Sequence, residues 1–104
     1  MLTMAFKLDV PQRGQYYYHY KHDPKQGINH YAYYVVGIAK HTETDELMVV
    51  YKTLYFNDWM EGLELCVRPV IMWSEQITKD NYSGPRFRLM TSAEVEELKN
   101  FLEK

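Results

Sequence analysis

The stretch His41-Thr-Glu-Thr44 places an imidazole and a carboxylate two residues apart. A histidine titrates near neutral pH and a carboxylate can orient its ring, so His41 and Glu43 could act as a proton-transfer pair. The same stretch could equally bond to its own backbone and shape a hairpin turn, with no chemistry at all. The sequence leaves both interpretations open.

Two arginines lie next to prolines, in Arg68-Pro69 and Pro85-Arg86. A guanidinium presents a planar fork of donors that can hold a carboxylate or a phosphate through two bonds. The structural alternative is that Arg68 pairs with Glu43 and fixes the hairpin to the rest of the domain. Arg86 is open to the same two interpretations, as a ligand-binding group or as a structural one.

Metal and thiol chemistry have little support in the sequence. His19 and His22 form an H-x2-H pair, but zinc needs three or four ligands, commonly with thiolates, and Cys66 is the one cysteine. Nothing near Cys66 in sequence would lower its pKa, so a small buried residue is favoured over a nucleophile. We therefore predict no metal, no cofactor and no catalytic residue of this kind.

The tyrosines of QYYYHYK, residues 15–21, either fill a core or form a platform for a ligand. Strand alternation sends Tyr16, Tyr18 and Tyr20 to one face. The other face receives Tyr17, His19 and Lys21. One set can line the core, and the other could face solvent or a ligand. Stacking of bases on exposed rings normally accompanies a positive groove, so nucleic-acid binding is disfavoured in this chain.

Composition limits the class of protein. A length of 104 residues indicates one domain, and a net charge of −2 argues against general binding to a phosphate backbone. The one cysteine excludes an intrachain disulfide, and no apolar run approaches the roughly 20 residues that a membrane span needs. The start of the chain lacks the features of a signal peptide, so a cytoplasmic location is the expectation, with no membrane partner.

The hydrophobic pattern predicts short strands followed by one helix. The segment at 31–40 is apolar on both faces, which predicts that it is covered on both sides. Pro69 removes a ladder donor, so its strand should lie at an edge or end there. Thr91-Ser-Ala-Glu94 fits a capping box, with a hydrophobic staple from Met90 to Val95. The predicted strands are 15–21, 31–40, 47–55, 66–73, 76–78 and 86–89, with a turn at 82–85.

Five short motifs in fixed order resemble the small bacterial domain family DUF1653, over about residues 14–89. The motifs are HYK at 19–21, VGIAKHTET at 36–44, VVY at 49–51, VRP at 67–69 and PRF at 85–87. The resemblance implies an SH3-like barrel and no established activity. This chain departs from the family pattern in the longer loop after Lys21, and in Cys66 and the longer loop before it, where an aromatic residue is usual.

These observations predict a mainly β fold, a small SH3-like barrel of about five strands with a C-terminal α-helix. The expected organisation is an N-terminal extension at 1–13, the barrel at 14–89 and an amphipathic helix at 90–104. We expect a non-enzymatic module that binds a small ligand or a protein. The candidate binding residues are His19, Tyr20, Lys21, His41, Glu43, Tyr51, Arg68 and Arg86.

Three alternatives stay open. One is a module that binds single-stranded nucleic acid by stacking bases on exposed tyrosines. A small enzyme could use the His41–Glu43 pair, although no nucleophile accompanies it. A homo-oligomer could form through the two-sided strand at 31–40, through Trp59 and Met60, and through the apolar face of the terminal helix.

Overall fold

The computed structural model of the protein describes residues 10–56 and 58–103, apart from the side chain of Trp59. Within these ranges the fold is mainly β, as the sequence predicts, with seven strands and two α-helices rather than about five strands and one α-helix. The strands are β1 (Tyr16–His19), β2 (Ala32–Lys40), β3 (Leu47–Thr53), β4 (Cys66–Pro69), β5 (Gln76–Lys79), β6 (Tyr82–Pro85) and β7 (Phe87–Leu89), and the helices are α1 (Val70–Trp73) and α2 (Ser92–Leu102).

Five of the strands form one antiparallel sheet in the order β4-β3-β2-β1-β7, and β5 and β6 form a separate hairpin. No closed barrel is found in the part of the chain that the structure describes, because the edge strands β4 and β7 are not paired with each other. Both edges are short, and β4 ends at Pro69, which has no N–H to donate. Side chains bridge the gap instead, since the Arg68 guanidinium lies 5.2 Å from the centre of the Phe87 ring.

A bulge in β2 changes which side chains face inward. The register with β3 shifts between Val35 and Gly37, so Val36 is an extra residue in the ladder. Before the bulge, Tyr33 and Val35 face the main core; after it, Ile38 packs against the same core opposite Val49. In an unbroken ladder Ile38 would lie on the opposite face from Val35, and the bulge brings it to the same face instead.

The main core is largely aromatic. Trp73 of α1 and Phe87 of β7 stack with ring centres 3.9 Å apart and planes 8° apart. Aromatic rings bury a large area per residue, which suits a domain of this size. The buried members of this core are Tyr17, Tyr33, Val35, Val49, Tyr51, Val70, Trp73 and Phe87.

The second core lies on the other side of the sheet, under α2. Leu98 of the helix packs with Tyr18, Ala32 and Met90. This confirms that the segment at 31–40 is covered on both sides. The side chains of Thr91 and Glu94 form the predicted capping box, and Val95 packs against the same cluster as Met90.

Side chains on both faces of the tyrosine-rich strand β1 therefore pack inside the protein. Tyr17 belongs to the main core, and Tyr18 is only 3% exposed beneath α2. The expectation that one tyrosine set could face solvent or a ligand is wrong for Tyr18, because a helix occupies that side. Beyond the strand, the Tyr20 ring stacks on Tyr82 at 5.2 Å.

Two local predictions differ from the structure. Residues 82–85 form strand β6 rather than a turn, and the turn lies at Asp80 and Asn81, which both adopt positive φ. Aspartate and asparagine tolerate this conformation better than most residues do. The predicted strand at 66–73 does end at Pro69, but Val70–Trp73 continues as one turn of helix.

Of the expected N-terminal extension at 1–13, residues 1–9 lie outside the described residues. Among the helices that are described, none is both long and apolar enough to cross a bilayer.

Replacing Leu98 by alanine should lower the free energy of unfolding by about 2–5 kcal/mol, because its side chain is fully buried between α2 and the sheet. Phe101→Ala on the same helix is the matched control; that ring is 46% exposed, so the change should be below about 1 kcal/mol. Urea unfolding followed by circular dichroism measures both values. Equal losses in the two variants would contradict the role of α2 as cover of the second core.

Candidate functional site

A cavity of about 450 Å³ opens beside the ends of β1, β2 and β3, facing β4. We call it the basic pocket. It brings together three of the eight candidate residues, His19, Lys21 and Arg68. Its lining residues are His19, Lys21, His30, Tyr31, Tyr33, Tyr55 and Arg68.

His19 is held by rings on two sides. Its imidazole stacks on Tyr31 with ring centres 5.1 Å apart, and it meets the Phe87 ring edge to face at 5.1 Å. Its Nδ1 accepts a hydrogen bond from the backbone N–H of Lys21 at 3.1 Å. A neutral ring bonded in this way carries its proton on Nε2.

The surroundings of His19 favour this neutral form. Burial lowers the pKa of His19 from 6.5 to about 4, and the positive charges of Arg68, Arg86 and Lys21 add to the effect. At neutral pH the pocket therefore contains an uncharged imidazole among cations.

Arg68 reaches from β4 across the open side of the sheet. Its guanidinium lies over Phe87, which in turn stacks on Trp73. Tyr51 lies in the core next to it. Burial raises the pKa of Tyr51, whereas the positive charge of Arg68 and a hydrogen bond with Arg68 lower it. Arg68 Nε is buried and has no hydrogen-bond partner among the residues that the structure describes. A stacked guanidinium of this kind is fixed before any ligand arrives.

His30 and Tyr31 come from the loop that joins β1 to β2. His30 Nδ1 accepts a hydrogen bond from the backbone N–H of Asp23 at 3.0 Å, which fixes the ring within the loop. Tyr31 adopts a φ of 54°, in the left-handed region. For an aromatic residue this conformation costs on the order of 1–3 kcal/mol and persists only where the surrounding structure enforces it.

The remaining wall is a pair of tyrosines. The hydroxyls of Tyr33 and Tyr55 are 2.7 Å apart and share a hydrogen bond. Burial, together with this bond, raises the pKa of Tyr33, and burial raises that of Tyr55. Both side chains are therefore neutral phenols at physiological pH.

The electrostatic character of the basic pocket follows from these groups. Lys21 and Arg68 carry positive charge, the histidines and tyrosines are polar rings, and no aspartate or glutamate of the described ranges lines the cavity. Such a set of side chains can attract and hold an anion, with ring edges and faces left to contact the rest of a ligand.

Arg86 and Tyr20 lie close to the basic pocket but do not line it. Arg86 Nη2 pairs with Glu75 Oε1 at 2.9 Å, at the base of the β5–β6 hairpin. Its charge still reaches His19, as the lowered pKa shows. Tyr20 stacks on Tyr82 of that hairpin.

His41 and Glu43 lie in the exposed connection between β2 and β3 and are not brought to the basic pocket. His41 Nδ1 accepts the backbone N–H of Glu43 at 3.2 Å, and Thr44 Oγ1 accepts that of Glu46 at 3.3 Å. These are bonds of the turn-shaping kind that the sequence also suggests. The Glu43 carboxylate has no ion pair with Arg68 within residues 10–56 and 58–103.

No cluster of three or more histidine, cysteine, aspartate or glutamate side chains in the described ranges is placed to hold a metal ion. His22 stacks on Tyr18 at 3.7 Å, with its Nδ1 bonded to the His30 carbonyl oxygen. Cys66 is half-buried, and burial raises the pKa of its thiol.

Sequence reasoning missed His30, Tyr31, Tyr33 and Tyr55 as pocket residues. His30 and Tyr31 follow the loop at 22–29, whose extra length relative to the family pattern is the available signal. The position of Tyr55 just beyond β3 is not visible in a motif. The left-handed backbone of Tyr31 could not be foreseen, because aromatic residues disfavour it.

An antiparallel sheet with a helix on one side and the basic pocket beside the ends of its strands defines the protein as a small, mainly β domain. The chain belongs to the family described as "Protein of unknown function (DUF1653)", which matches residues 15–89. The family resemblance seen in the sequence is thereby confirmed.

The chain is also similar to a solved member of the same family. A crystal structure of a DUF1653 protein from Bordetella bronchiseptica shares 33% sequence identity with a TM-score of 0.59, over 75% of this chain and 86% of that one. No curated protein matches the chain. The comparisons therefore establish the family and leave its activity open.

The lowered pKa of His19 predicts a pH-dependent stability. Between about pH 4 and 6.5 the unfolded state binds a proton that the folded state does not, so the free energy of unfolding should fall as the pH drops through this range. Urea unfolding at several pH values measures the slope, and His19→Asn should flatten it. An unchanged slope in that variant would contradict the assignment to His19.

Proposed function

We propose that the protein is a binding module whose basic pocket holds the anionic group of a small ligand. The observation that carries the proposal is the convergence of Lys21 and Arg68 with polar rings in a cavity whose described lining residues include no carboxylate. A volume of about 450 Å³ falls within the range of small-molecule sites.

The state of Arg68 supports the proposal. Its guanidinium is held on Phe87 and beside Tyr51, so little side-chain entropy is lost when it meets a ligand. Its planar fork suits a carboxylate or a phosphate better than a lysine would. Lys21, on the exposed rim, adds charge that draws an anion toward the opening.

The His41–Glu43 enzyme is less well supported. His41 Nδ1 is engaged by the backbone, and both residues lie in an exposed turn away from the basic pocket. Binding of single-stranded nucleic acid also has less support, because Tyr18 is buried under α2 and cannot stack with a base.

We also propose an SH3-like arrangement of the strands and a cytoplasmic location. An SH3-like arrangement is supported by the run β1 to β4, the single turn α1, and the return of the last strand β7 to pair with β1. A cytoplasmic location is supported by the free thiol of Cys66, which suits a reducing compartment.

Titration of the 15N-labelled protein with inorganic phosphate and with acetate should shift the amide resonances around the basic pocket. Arg68→Met should weaken binding about tenfold or more, because a hydrogen bond to a charged group contributes about 1.5–3 kcal/mol. Lys21→Gln should weaken it less, since Lys21 is exposed. Lys40→Gln, at the far end of β2, is the matched control and should have no effect. Shifts absent from the pocket, or an equal effect of Lys40→Gln, would refute the proposal.

A second candidate function is self-association, and it rests on a different surface. Two of the segments first expected to mediate it offer little free apolar surface, since both sides of β2 are covered and Met60 is 8% exposed. Large exposed apolar side chains concentrate instead in the loop before β4, in β4 and in α1. We call this set the apolar edge: Phe56, Leu63, Leu65, Val67, Ile71 and Met72.

We propose a second copy of the chain as the partner of the apolar edge. Six large apolar side chains, each at least 43% exposed and concentrated in neighbouring segments of the chain, favour a protein contact there. Six large side chains can supply much of the roughly 800 Å² that each partner contributes to a standard interface. The edge strand β4 places these side chains where two copies can meet across a twofold axis.

Light scattering after size exclusion should therefore give a dimer at micromolar concentration. Ile71→Lys should convert it to a monomer, because a charge would be buried in the contact; Ile71 is 70% exposed, so its fold should be unaffected. Leu102→Lys on α2 is the control and should stay dimeric. A monomer in the unmodified protein at all concentrations would count against this candidate.

A further inference from the structure

We infer that the ligand of the basic pocket carries its negative charge on, or one bond from, a flat aromatic ring. This inference rests on the proposed function and narrows it to a class of ligand, the planar aromatic acids. It is argued from the walls of the pocket, from its size and from the backbone of Tyr31.

The walls of the basic pocket are made of rings. Apart from Lys21 and Arg68, every lining residue in the described part of the chain is a histidine or a tyrosine, and no aliphatic side chain is among them. The Tyr31 ring meets His30 edge to face at 4.8 Å and lies 5.8 Å from Tyr55, tilted by 53°. A flat ring among such walls gains edge-to-face and offset contacts that a saturated chain cannot make.

The size of the cavity agrees with a ligand larger than an ion. An isolated phosphate or acetate bound at Arg68 and Lys21 would leave most of the roughly 450 Å³ to water. Because cations and rings line one cavity, a ligand uses both at once only if its charge and its ring are close together.

Tyr31 is the residue that we assign to recognition of the ring. Its left-handed backbone is enforced locally, because its carbonyl oxygen accepts the backbone N–H of His19 at 3.0 Å. The conformation turns the side chain onto the His19 ring and into the pocket wall. Glycine or asparagine would adopt this backbone more readily than tyrosine does. The contacts of the Tyr31 ring must therefore offset the conformational cost of its backbone.

Three carboxylates test the inference: benzoate, cyclohexanecarboxylate and acetate. The first two carry the same charge on a six-membered ring, and only benzoate is flat and aromatic. An aromatic pair contributes a factor of roughly 2 to 12 in affinity, so benzoate should bind tighter than cyclohexanecarboxylate by about that factor. Hydrophobicity alone would favour the saturated ring. The dissociation constants come from titrations followed by NMR.

Variants of Tyr31 test whether this residue causes the preference for benzoate over cyclohexanecarboxylate. Tyr31→Asn should bring the benzoate and cyclohexanecarboxylate constants close to each other and leave the acetate constant unchanged, since the cations remain. Tyr31→Gly serves the same purpose if the asparagine variant does not fold. Tyr34→Asn is the matched control, because Tyr34 packs on Tyr16 at 5.0 Å on the helix side of the sheet; it should keep the preference.

The outcomes separate the two proposals. Equal binding of benzoate and cyclohexanecarboxylate, with acetate also bound, would overturn this inference and leave the anion site standing. Loss of the preference in Tyr34→Asn but not in the Tyr31 variants would also overturn it. If neither these carboxylates nor inorganic phosphate shifts a resonance of the basic pocket, the proposed function fails together with the inference. Binding of phosphate alone would overturn the inference and leave the anion site standing.

Discussion

The layered contact of Arg68, Phe87 and Trp73 is the interaction on which the rest of the structure depends. The two edges of the five-stranded sheet do not exchange backbone hydrogen bonds, so a guanidinium from β4 and a ring from β7 close the open side in their place. Trp73 of α1 completes the stack from within the core. One arginine thus joins the edges of the fold and, on its other side, lines the basic pocket.

This double use explains the chemistry of the pocket. A cation that is fixed for structural reasons is already oriented when a ligand arrives. Its buried Nε has no hydrogen-bond partner among the described residues, so its hydrogen bonding is incomplete within the protein. The same charge, together with burial, keeps His19 neutral, so the pocket does not accumulate like charges that would repel one another. Arg68 therefore serves both the fold and the candidate site, whereas Lys21 and Tyr31 can be changed with less effect on the stack.

The sequence predicts what depends on local pattern. The strand end at Pro69, the capping box at Thr91 and the double cover of β2 all follow from short-range chemistry or periodicity, and each is confirmed. The bulge at Val36 and the helix over Tyr18 depend on contacts between distant segments, and no local pattern encodes them. For the site, the sequence motifs indicated His19, Lys21 and Arg68. The loop residues His30 and Tyr31 lie beside them only because the fold brings the loop there. His41 and Glu43, adjacent in the motif, end up in a turn.

The strand order has a consequence for how the chain folds as it is synthesised. β1 is made early but pairs with β7, and Phe87 of β7 is needed for the stack that joins the edges. The opposite side of the sheet waits for Leu98. Domains generally fold as units during synthesis, and long-range pairing must pay its loop-closure entropy first. Neither core is complete before these late residues are synthesised, so the tyrosines of β1 and β2 cannot reach their full burial until then.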